Sequence, residues 1–442
     1  MTPGTPPIRV AVLGAGTVGA EVAARLLEHG DEFASRIGAP VVLAGVAVRD
    51  LDAPRTPALP RELLTTDIEN LVLGANIVVE LIGGVEDARR AVLLALESGA
   101  DVVTGNKALL ATHGPELFAA AERVGAQLNY EAAVAGAIPI IRPLRDSLAG
   151  DHVLRILGIV NGTTNFVLDR MDEHGDDFAG ALATATRLGY AEADPTGDVS
   201  GADAAQKAAI LAGLAFHTTV PLEAVAVEGI ERVTADQVRA GRAAGYVVKL
   251  LAICERLTGP DGTEGVSARV HPALLPRSHP LAAVRGANNA VFVQSEAAGD
   301  LMFYGAGAGG RQTASAVLGD LVSVARRHVV GGPGLVPQPA GADLPVLDPG
   351  VVRTRYQITL SVRDEPGVLA RLAGIVAEHG VSIETVEQSR ASDDGTASLI
   401  IGTHAAPEAA LSATVEALGA AAEVESVAGV LRIEGLERGD AA

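Results

Sequence analysis

The stretch "IRVAVLGAGTVGAEVAARLLEHG", residues 8–30, decides how the first part of this chain folds. "RVAVL" is a short apolar run that suits a buried strand. "AEVAARLL" repeats its apolar residues at helical spacing. Between them "GAGTVG" sets glycines at 14, 16 and 19. Gly14 permits a tight turn, Gly16 lets backbone amides approach a pyrophosphate, and Gly19 lets the helix pack on the strand. Thr17 and Val18 open the helix, whose unpaired N–H groups attract negative charge. A bare glycine pattern of this kind is weak evidence. A strand before it and a helix after it make it a dinucleotide-binding turn. A domain that keeps the turn without the ligand is the alternative.

Further apolar runs follow at "VVLAGVAVRD" (41–50), "ANIVVELIGG" (75–84), "ADVVTGNKALLA" (100–111) and "AQLNYEAAV" (126–134). Helical patterns at 86–99 and 114–124 lie between them. Almost wholly apolar strands alternating with helices predict a Rossmann-type, doubly wound parallel sheet covered on both faces. The second run ends in Val48-Arg49-Asp50. Arg49 suits a 2′-phosphate and favours NADPH over NADH, whereas Asp50 keeps NADH open.

After residue 134 the rhythm changes. "VLRILGIVNGTTN" (153–165) starts as a strand and ends in a polar loop. Helices are expected at 164–173, 178–188, 201–216 and 234–244, and further strands at 246–256, 265–271 and 290–296. This pattern predicts an α+β mixed-sheet domain over 135–304. A long helix at 312–329, within 305–330, is expected to pack back on the first domain, residues 1–134. Residues 1–7 read as a frayed start, and the Pro- and Gly-rich stretch 331–353 as a linker. From 354 to 432 the order strand, helix, strand, strand, helix, strand is ferredoxin-like.

The composition narrows the function. The chain of 442 residues has a formal net charge of −20, so no basic surface exists to neutralise nucleic-acid phosphates. The start lacks a signal-peptide pattern and no apolar run reaches membrane-spanning length, which predicts a cytoplasmic protein without membrane contact. The single cysteine, Cys254 in "LLAICERL", excludes an internal disulfide and is expected at a buried helical position.

Lysine and arginine total 34, yet only Lys107, Lys207 and Lys249 are lysines. Arginine replaces lysine wherever the two are equivalent. They are not equivalent where a proton must leave, because arginine keeps its own. Lys107 follows the fourth strand, at the carboxyl ends of the strands that border the ligand crevice of an open parallel sheet. Lys207 closes "AEADPTGDVSGADAAQK" (191–207), which also holds Glu192, Asp194, Asp198 and Asp203. Asp203 and Lys207 share one helix face. A surface ion pair is the bland reading, but the helix beyond it is apolar. A cationic lysine there stabilises the oxyanion formed when hydride reaches a carbonyl carbon. The acids upstream suit a substrate ammonium, and Asp194 reads as a loop or capping residue.

At this point the chain resembles the homoserine dehydrogenases that carry a C-terminal ACT domain. The resemblance spans residues 8–432 and rests on "GAGTVG", "VVELIGG", "VVTGNKALLA", "YEAAVAGAIPII", "GIVNGTTNFVL", "LGYAEADPTGDVSGADAAQKAAILA" and "GAGAGGRQTASAVLGDL". It implies the interconversion of L-aspartate 4-semialdehyde and L-homoserine with NADPH or NADH, a step toward threonine and methionine. It implies Lys207 as proton donor with Asp203 as its partner, and Lys107 between nicotinamide and substrate. Glu192 would bind the substrate ammonium, Asp198 would line that pocket, and Gly189 would lie in the adjoining loop. Gly305 would begin a glycine loop near the cofactor.

The same resemblance implies a sodium or potassium site at Glu131, Val134, Gly136 and Ile138, held largely by backbone oxygens. In the ACT domain Asp364, Gly367, Val368 and Leu369 would form an effector site, with threonine as the natural effector. Ser382 stands where many ACT domains carry asparagine, so pure subunit pairing stays open beside regulation. The assembly implied is a homodimer or homotetramer. Lys249 matches no family role, and a structural or surface position is expected for it. A non-catalytic amino-acid sensor is the rival reading, disfavoured by the joint presence of Lys107, Asp203 and Lys207. A dehydrogenase acting on a larger oxo acid is a second rival, disfavoured by the acidic loop.

Overall fold

The computed structural model describes residues 6–332, 341–388 and 396–435. The expected frayed start and linker fall partly outside these residues, at 1–5 and 333–340, as does 389–395 of the C-terminal module. The elements run β1 (Ile8–Leu13), α1 (Thr17–Glu28), α2 (Gly30–Ile37), β2 (Val41–Ala47), β3 (Leu64–Thr65), α3 (Ile68–Leu73), β4 (Ile77–Glu80), α4 (Glu86–Glu97), β5 (Asp101–Thr104), α5 (Lys107–Val124) and β6 (Leu128–Asn129). Next come β7 (Val153–Ile159), α6 (Gly162–His174), α7 (Phe178–Arg187), α8 (Thr196–Val199), α9 (Ala202–Phe216), β8 (Ala226–Val227), α10 (Ala235–Ala243), β9 (Tyr246–Thr258), β10 (Glu264–Pro276), β11 (Asn288–Ser295), β12 (Gly299–Ala306) and α11 (Gly310–Val330). The C-terminal module adds β13 (Arg353–Arg363), α12 (Val368–Glu378), β14 (Ile383–Gln388), β15 (Thr396–Thr403), β16 (Ala406–Pro407), α13 (Glu408–Ala420) and β17 (Val424–Ile433).

The chain divides into two compact units. The first takes in Met1–Ile156, Gln206–Ala224 and Asn289–Leu344, and the second Leu157–Ala205, Val225–Asn288 and Pro345–Ala442. The first holds a six-stranded sheet in the order β3-β2-β1-β4-β5-β6. Its strand pairs are all parallel. This is the doubly wound order of dinucleotide-binding domains. Side chains alternate along β1 because successive Cβ atoms point to opposite faces. Val10 and Val12 enter a core completed by Val22 and Leu26 of α1, Phe33 of α2 and Val317 and Leu321 of α11. Ala11 and Leu13 enter the opposite core, with Val92 and Leu96 of α4 and Leu109 and Leu117 of α5. Both faces are therefore dry, which is why the strands carry no polar alternation.

In the second unit β9 and β10 form a long antiparallel pair, and β17 joins β10 in parallel at Ala273 and Leu274. The sheet continues β17-β13-β15-β14, the ferredoxin-like order. One face of those four strands packs Ile358, Leu360, Leu399 and Ile401 against Leu372 and Val376 of α12 and Leu411 and Leu418 of α13.

Four local expectations are corrected. The run 100–111 is not one strand: β5 ends at Thr104, and Asn106 caps a helix beginning at Lys107, its side chain accepting from Leu109 N at 3.0 Å. The run 126–134 keeps only two strand residues before a 3₁₀ turn at Glu131–Ala133. Strand β10 continues past His271 through Pro272, carried by its long pairing with β9. Cys254 is buried, but on β9 rather than on a helix.

Candidate active site

The glycine turn of the first unit fits a dinucleotide. Gly14 has φ +97°, a conformation that favours glycine, and a Cβ there would lie 2.5 Å from Leu81 O. A Cβ on Gly19 would lie 1.9 Å from Gly14 O, so the helix crosses the turn at backbone contact. A Cβ on Gly16 would meet nothing within 4 Å. The unpaired N–H groups of α1 begin directly after this glycine. Thr17 and Val18 begin the helix without a side-chain cap on Gly16 and without an acid in the first turn. This arrangement receives a pyrophosphate.

Arg49 and Asp50 stand exposed just beyond β2. The Asp50 carboxylate is turned into its own loop, accepting from Asp52 N at 2.8 Å. Arg49 meets no hydrogen-bond or ion-pair partner among the described residues. At the end of β5, Asn106 donates to Gly84 O at 2.7 Å, and the half-buried Lys107 follows as the first residue of α5. Glu80, fully buried at the end of β4, accepts from Thr104 Oγ1 at 2.5 Å and Ile82 N at 3.0 Å. Burial is the main cause that raises its carboxyl above the usual range, against the pull of these bonds. The sequence reading missed Glu80, although a lone acid within "IVVEL" was its signal.

Glu131 is buried at 1 % exposure. Its carboxylate accepts from Ile140 N at 2.6 Å, Ile141 N at 2.7 Å, and both Arg142 N and Nε at 3.0 Å. Its own N–H donates to Asp320 Oδ2 at 2.7 Å. Asp320 is pushed up to about 7, first by burial and then by Glu131. The Glu131 side chain thus organises the turn through amides. Ala135 and Gly136 take positive φ, 57° and 63°. A Cβ on Gly136 would lie 2.3 Å from Gly307 O, so the 306–307 backbone presses on the turn. Gly305 sits just before, facing Ile138 Cγ1, and Val134 and Ile138 are buried. No cluster of three His, Cys, Asp or Glu that could hold a metal occurs among the described residues. A cation here would meet main-chain oxygens, the donor class that suits hard ions.

The acidic stretch lies in the second unit as far as Asp203. Gly189, at φ +78°, ends α7 in a left-handed turn. The loop beyond it hangs on α6: Thr163 Oγ1 donates to Tyr190 O at 2.7 Å, and the Phe166 and Tyr190 rings lie 4.8 Å apart. Glu192 is exposed. Asp194 accepts from Thr196 N and Oγ1 at 3.1 and 2.6 Å, a local turn role. Asp198 and Asp203 converge on one residue the sequence reading passed over: Asn161 Nδ2 donates to Asp198 Oδ1 at 2.7 Å and to Asp203 Oδ2 at 2.9 Å. The signal was an asparagine before a helix, read as a polar loop. Lys207 follows Asp203 by one turn of α9 and is 9 % exposed.

Lys249 is not a surface residue: its exposure is 0 %. Its Nζ donates to Asn165 Oδ1 at 2.8 Å and Val284 O at 2.6 Å. The nearby acids hold arginines instead, Asp172 with Arg277 and Asp169 with Arg285. Burial, only partly offset by Asp169, lowers the Lys249 amine to about 8. Between about pH 8 and 10.5 the unfolded chain keeps a proton that the folded chain has released, so stability rises with pH there. The stability gap between wild type and Lys249→Met is expected to shift toward wild type by up to about 3 kcal/mol across that window. Urea midpoints at both ends, giving an unchanged gap, would refute it.

In the C-terminal module Gly367, at φ +90°, caps α12, which starts at Val368. Asp364, Gly367, Val368 and Leu369 line a cavity of about 480 Å³ with Gln388 and Leu399. Among the described residues no helix is long and apolar enough to cross a membrane.

A dinucleotide turn on a doubly wound sheet, with a mixed-sheet unit and an appended ferredoxin-like module, defines the class as a nicotinamide-linked oxidoreductase. Residues 14–131 match the homoserine dehydrogenase NAD-binding domain, 139–322 the homoserine dehydrogenase catalytic family, and 356–423 the ACT domain. A homoserine dehydrogenase of Corynebacterium glutamicum is 53% identical over 97% of this chain and 96% of its own. The crystal structure of a homoserine dehydrogenase from Thiobacillus denitrificans superposes with a TM-score of 0.91 at 41% identity, covering 98% of this chain and 99% of that one. A hyperthermophilic archaeal homoserine dehydrogenase in complex with NADPH gives 0.61 at 27% identity, covering 74% and 99%. This chain belongs to the homoserine dehydrogenase family.

Proposed function

We propose that this protein reduces L-aspartate 4-semialdehyde to L-homoserine, reversibly and with NADPH preferred over NADH, on the way to threonine and methionine. The cofactor supplies the hydride to the aldehyde carbon. Lys207 gives the carbonyl oxygen its proton, and Asp203 is its partner on the same helix face. Glu192 and Asp198 hold the substrate ammonium beside Gly189, and Lys107 orients the reacting end. Backbone oxygens around Glu131, Val134, Gly136 and Ile138 hold sodium or potassium. The assignment of 1–134 with 305–330 to cofactor binding, 135–304 to catalysis and pairing, 331–353 to a linker and 354–432 to regulation belongs to the same reading. Threonine acts at Asp364, Gly367, Val368 and Leu369, in a homodimer or homotetramer.

The observation that carries the reading is Lys207, nearly buried on α9 one turn after Asp203. Arginine holds its proton and lysine can release one, so a lysine kept beside a carboxylate in a chain this rich in arginine suits a proton donor. The NADPH preference is supported by an exposed, unengaged Arg49 beside an Asp50 occupied by Asp52 N. The archaeal relative named with NADPH adds to it. The test is nicotinamide absorbance with L-aspartate 4-semialdehyde, using NADPH and NADH separately, with and without L-threonine, in sodium or potassium buffer. Oxidation of neither cofactor would refute the reaction, and no effect of threonine would remove the effector assignment. Arg49→Ala is expected to weaken NADPH binding by on the order of tenfold, because a charge-assisted contact is lost, and to leave NADH within twofold. Equal losses for both would refute the 2′-phosphate contact.

A further inference from the structure

We infer that Asn161 is a positioning residue for the acid pair: its side-chain amide fixes the Asp198 and Asp203 carboxylates relative to each other. This rests on the roles proposed above for those two acids. Asn161 is 6 % exposed and precedes α6 as its N-cap. Its Oδ1 accepts from Thr164 N at 2.9 Å, and Thr164 Oγ1 lies 3.1 Å from the same oxygen. Its two amide hydrogens go to the two carboxylates. An asparagine amide offers two donors and one acceptor oxygen, so every position is committed and its orientation is fixed from both ends.

The base from which this amide projects is held in place. A Cβ on Gly162 would lie 2.6 Å from Ala287 O, so the first turn of α6 sits directly on that backbone. Asn165 donates to Gly286 O at 2.9 Å and Asn288 O at 3.1 Å, and accepts from Lys249. The chemistry also favours an amide over a cation. Two carboxylates drawn to one nitrogen repel each other, and an arginine would hold them but cancel their charge. A neutral donor pair holds both carboxylates and leaves Asp198 for the substrate ammonium and Asp203 for Lys207.

The charged groups facing the amide are Asp198 from α8 and Asp203 from α9, with Lys207 one turn further along α9. The first turn of α6 carries no acid. Asn161→Asp separates the two jobs of this side chain. Aspartate caps a helix as well as asparagine does, but it presents acceptors to two acceptors.

For Asn161→Asp, kcat/KM for L-aspartate 4-semialdehyde is expected to fall about 100-fold near pH 8.5, through loss of two charge-assisted hydrogen bonds. Near pH 6 the deficit is expected to shrink to about tenfold. Three clustered carboxylates take up a proton there, and the resulting O–H restores one donor. NADPH affinity should stay at the wild-type value. Asn161→Ser, neutral and still able to cap, guards against a misfolded aspartate variant. It should lose about tenfold at both pH values, mainly through KM. A deficit of constant size in Asn161→Asp would mark a purely structural role and overturn the proposal, as would wild-type kinetics in both variants. Asp198→Asn and Asp203→Asn, assayed alongside, distinguish the levels. Wild-type kinetics in those two would remove the acid roles and this proposal together. Impaired acids with an unimpaired Asn161→Asp would remove this proposal alone.

Discussion

Lys207→Ala is expected to lower turnover about 10³-fold while the affinity for NADPH stays within twofold. The estimate follows from what a positioned general acid and a buried cation each contribute. The residue lies on α9 after Asp203, whereas the glycine turn for the cofactor joins β1 to α1 and rests on Leu81 just past β4. Hydride transfer to an aldehyde leaves charge on oxygen, and alanine neither stabilises that charge nor ends the reaction with a proton. Lys207→Arg separates the two effects. Arginine keeps the charge but holds its proton, so it is expected to recover no more than about tenfold of the loss. Steady-state turnover with saturating NADPH, alongside NADPH fluorescence titration, reads both quantities. Turnover near wild type in the alanine variant would sink the assigned role.

What could be read in advance had local causes. The three glycines are legible because the whole pattern fits within six residues between a strand and a helix, with Gly19 crossing Gly14 O inside it. The parallel sheet is legible because strands dry on both faces lose their alternation, as Val10, Ala11, Val12 and Leu13 show. Lys207 stood out because arginine had replaced lysine almost everywhere else.

The misses have the opposite character. Asn106 was legible in principle as a helix cap, but the apolar "ALLA" after it imitates a strand. Asn161 meets Asp203 across 42 positions, and Lys249 meets Asn165 across 84. Glu131 uses its carboxylate on amides nine to eleven residues away, which no side-chain motif announces. Such partners are set by topology, and their energy depends on burial that only the packed chain creates.

The glycine turn supplies the second large effect. In Gly19→Ala the added carbon would lie 1.9 Å from Gly14 O, a backbone atom that no rotamer change can move. Helix α1 must retreat by an ångström or more, yet its far side packs on α11, where a Cβ on Gly310 already would meet Thr17 O at 2.8 Å. Overpacking of this kind typically costs about 1–3 kcal/mol, more where backbone must shift. The retreat also carries the N–H groups of α1 away from the pyrophosphate. Gly19→Ala is therefore expected to lose both thermal stability, by several degrees, and NADPH affinity, by about 100-fold or more. Gly16→Ala provides the contrast. Its φ of −73° suits alanine, and no atom lies within 4 Å of the new carbon, so the fold should tolerate it. The methyl group then occupies the space through which the phosphates approach, and affinity alone should fall, by about tenfold or more. Thermal melts paired with NADPH titration decide the matter: equal stability losses in the two variants would refute the packing argument, and unchanged affinity in Gly16→Ala would show that the ligand does not lie over this turn.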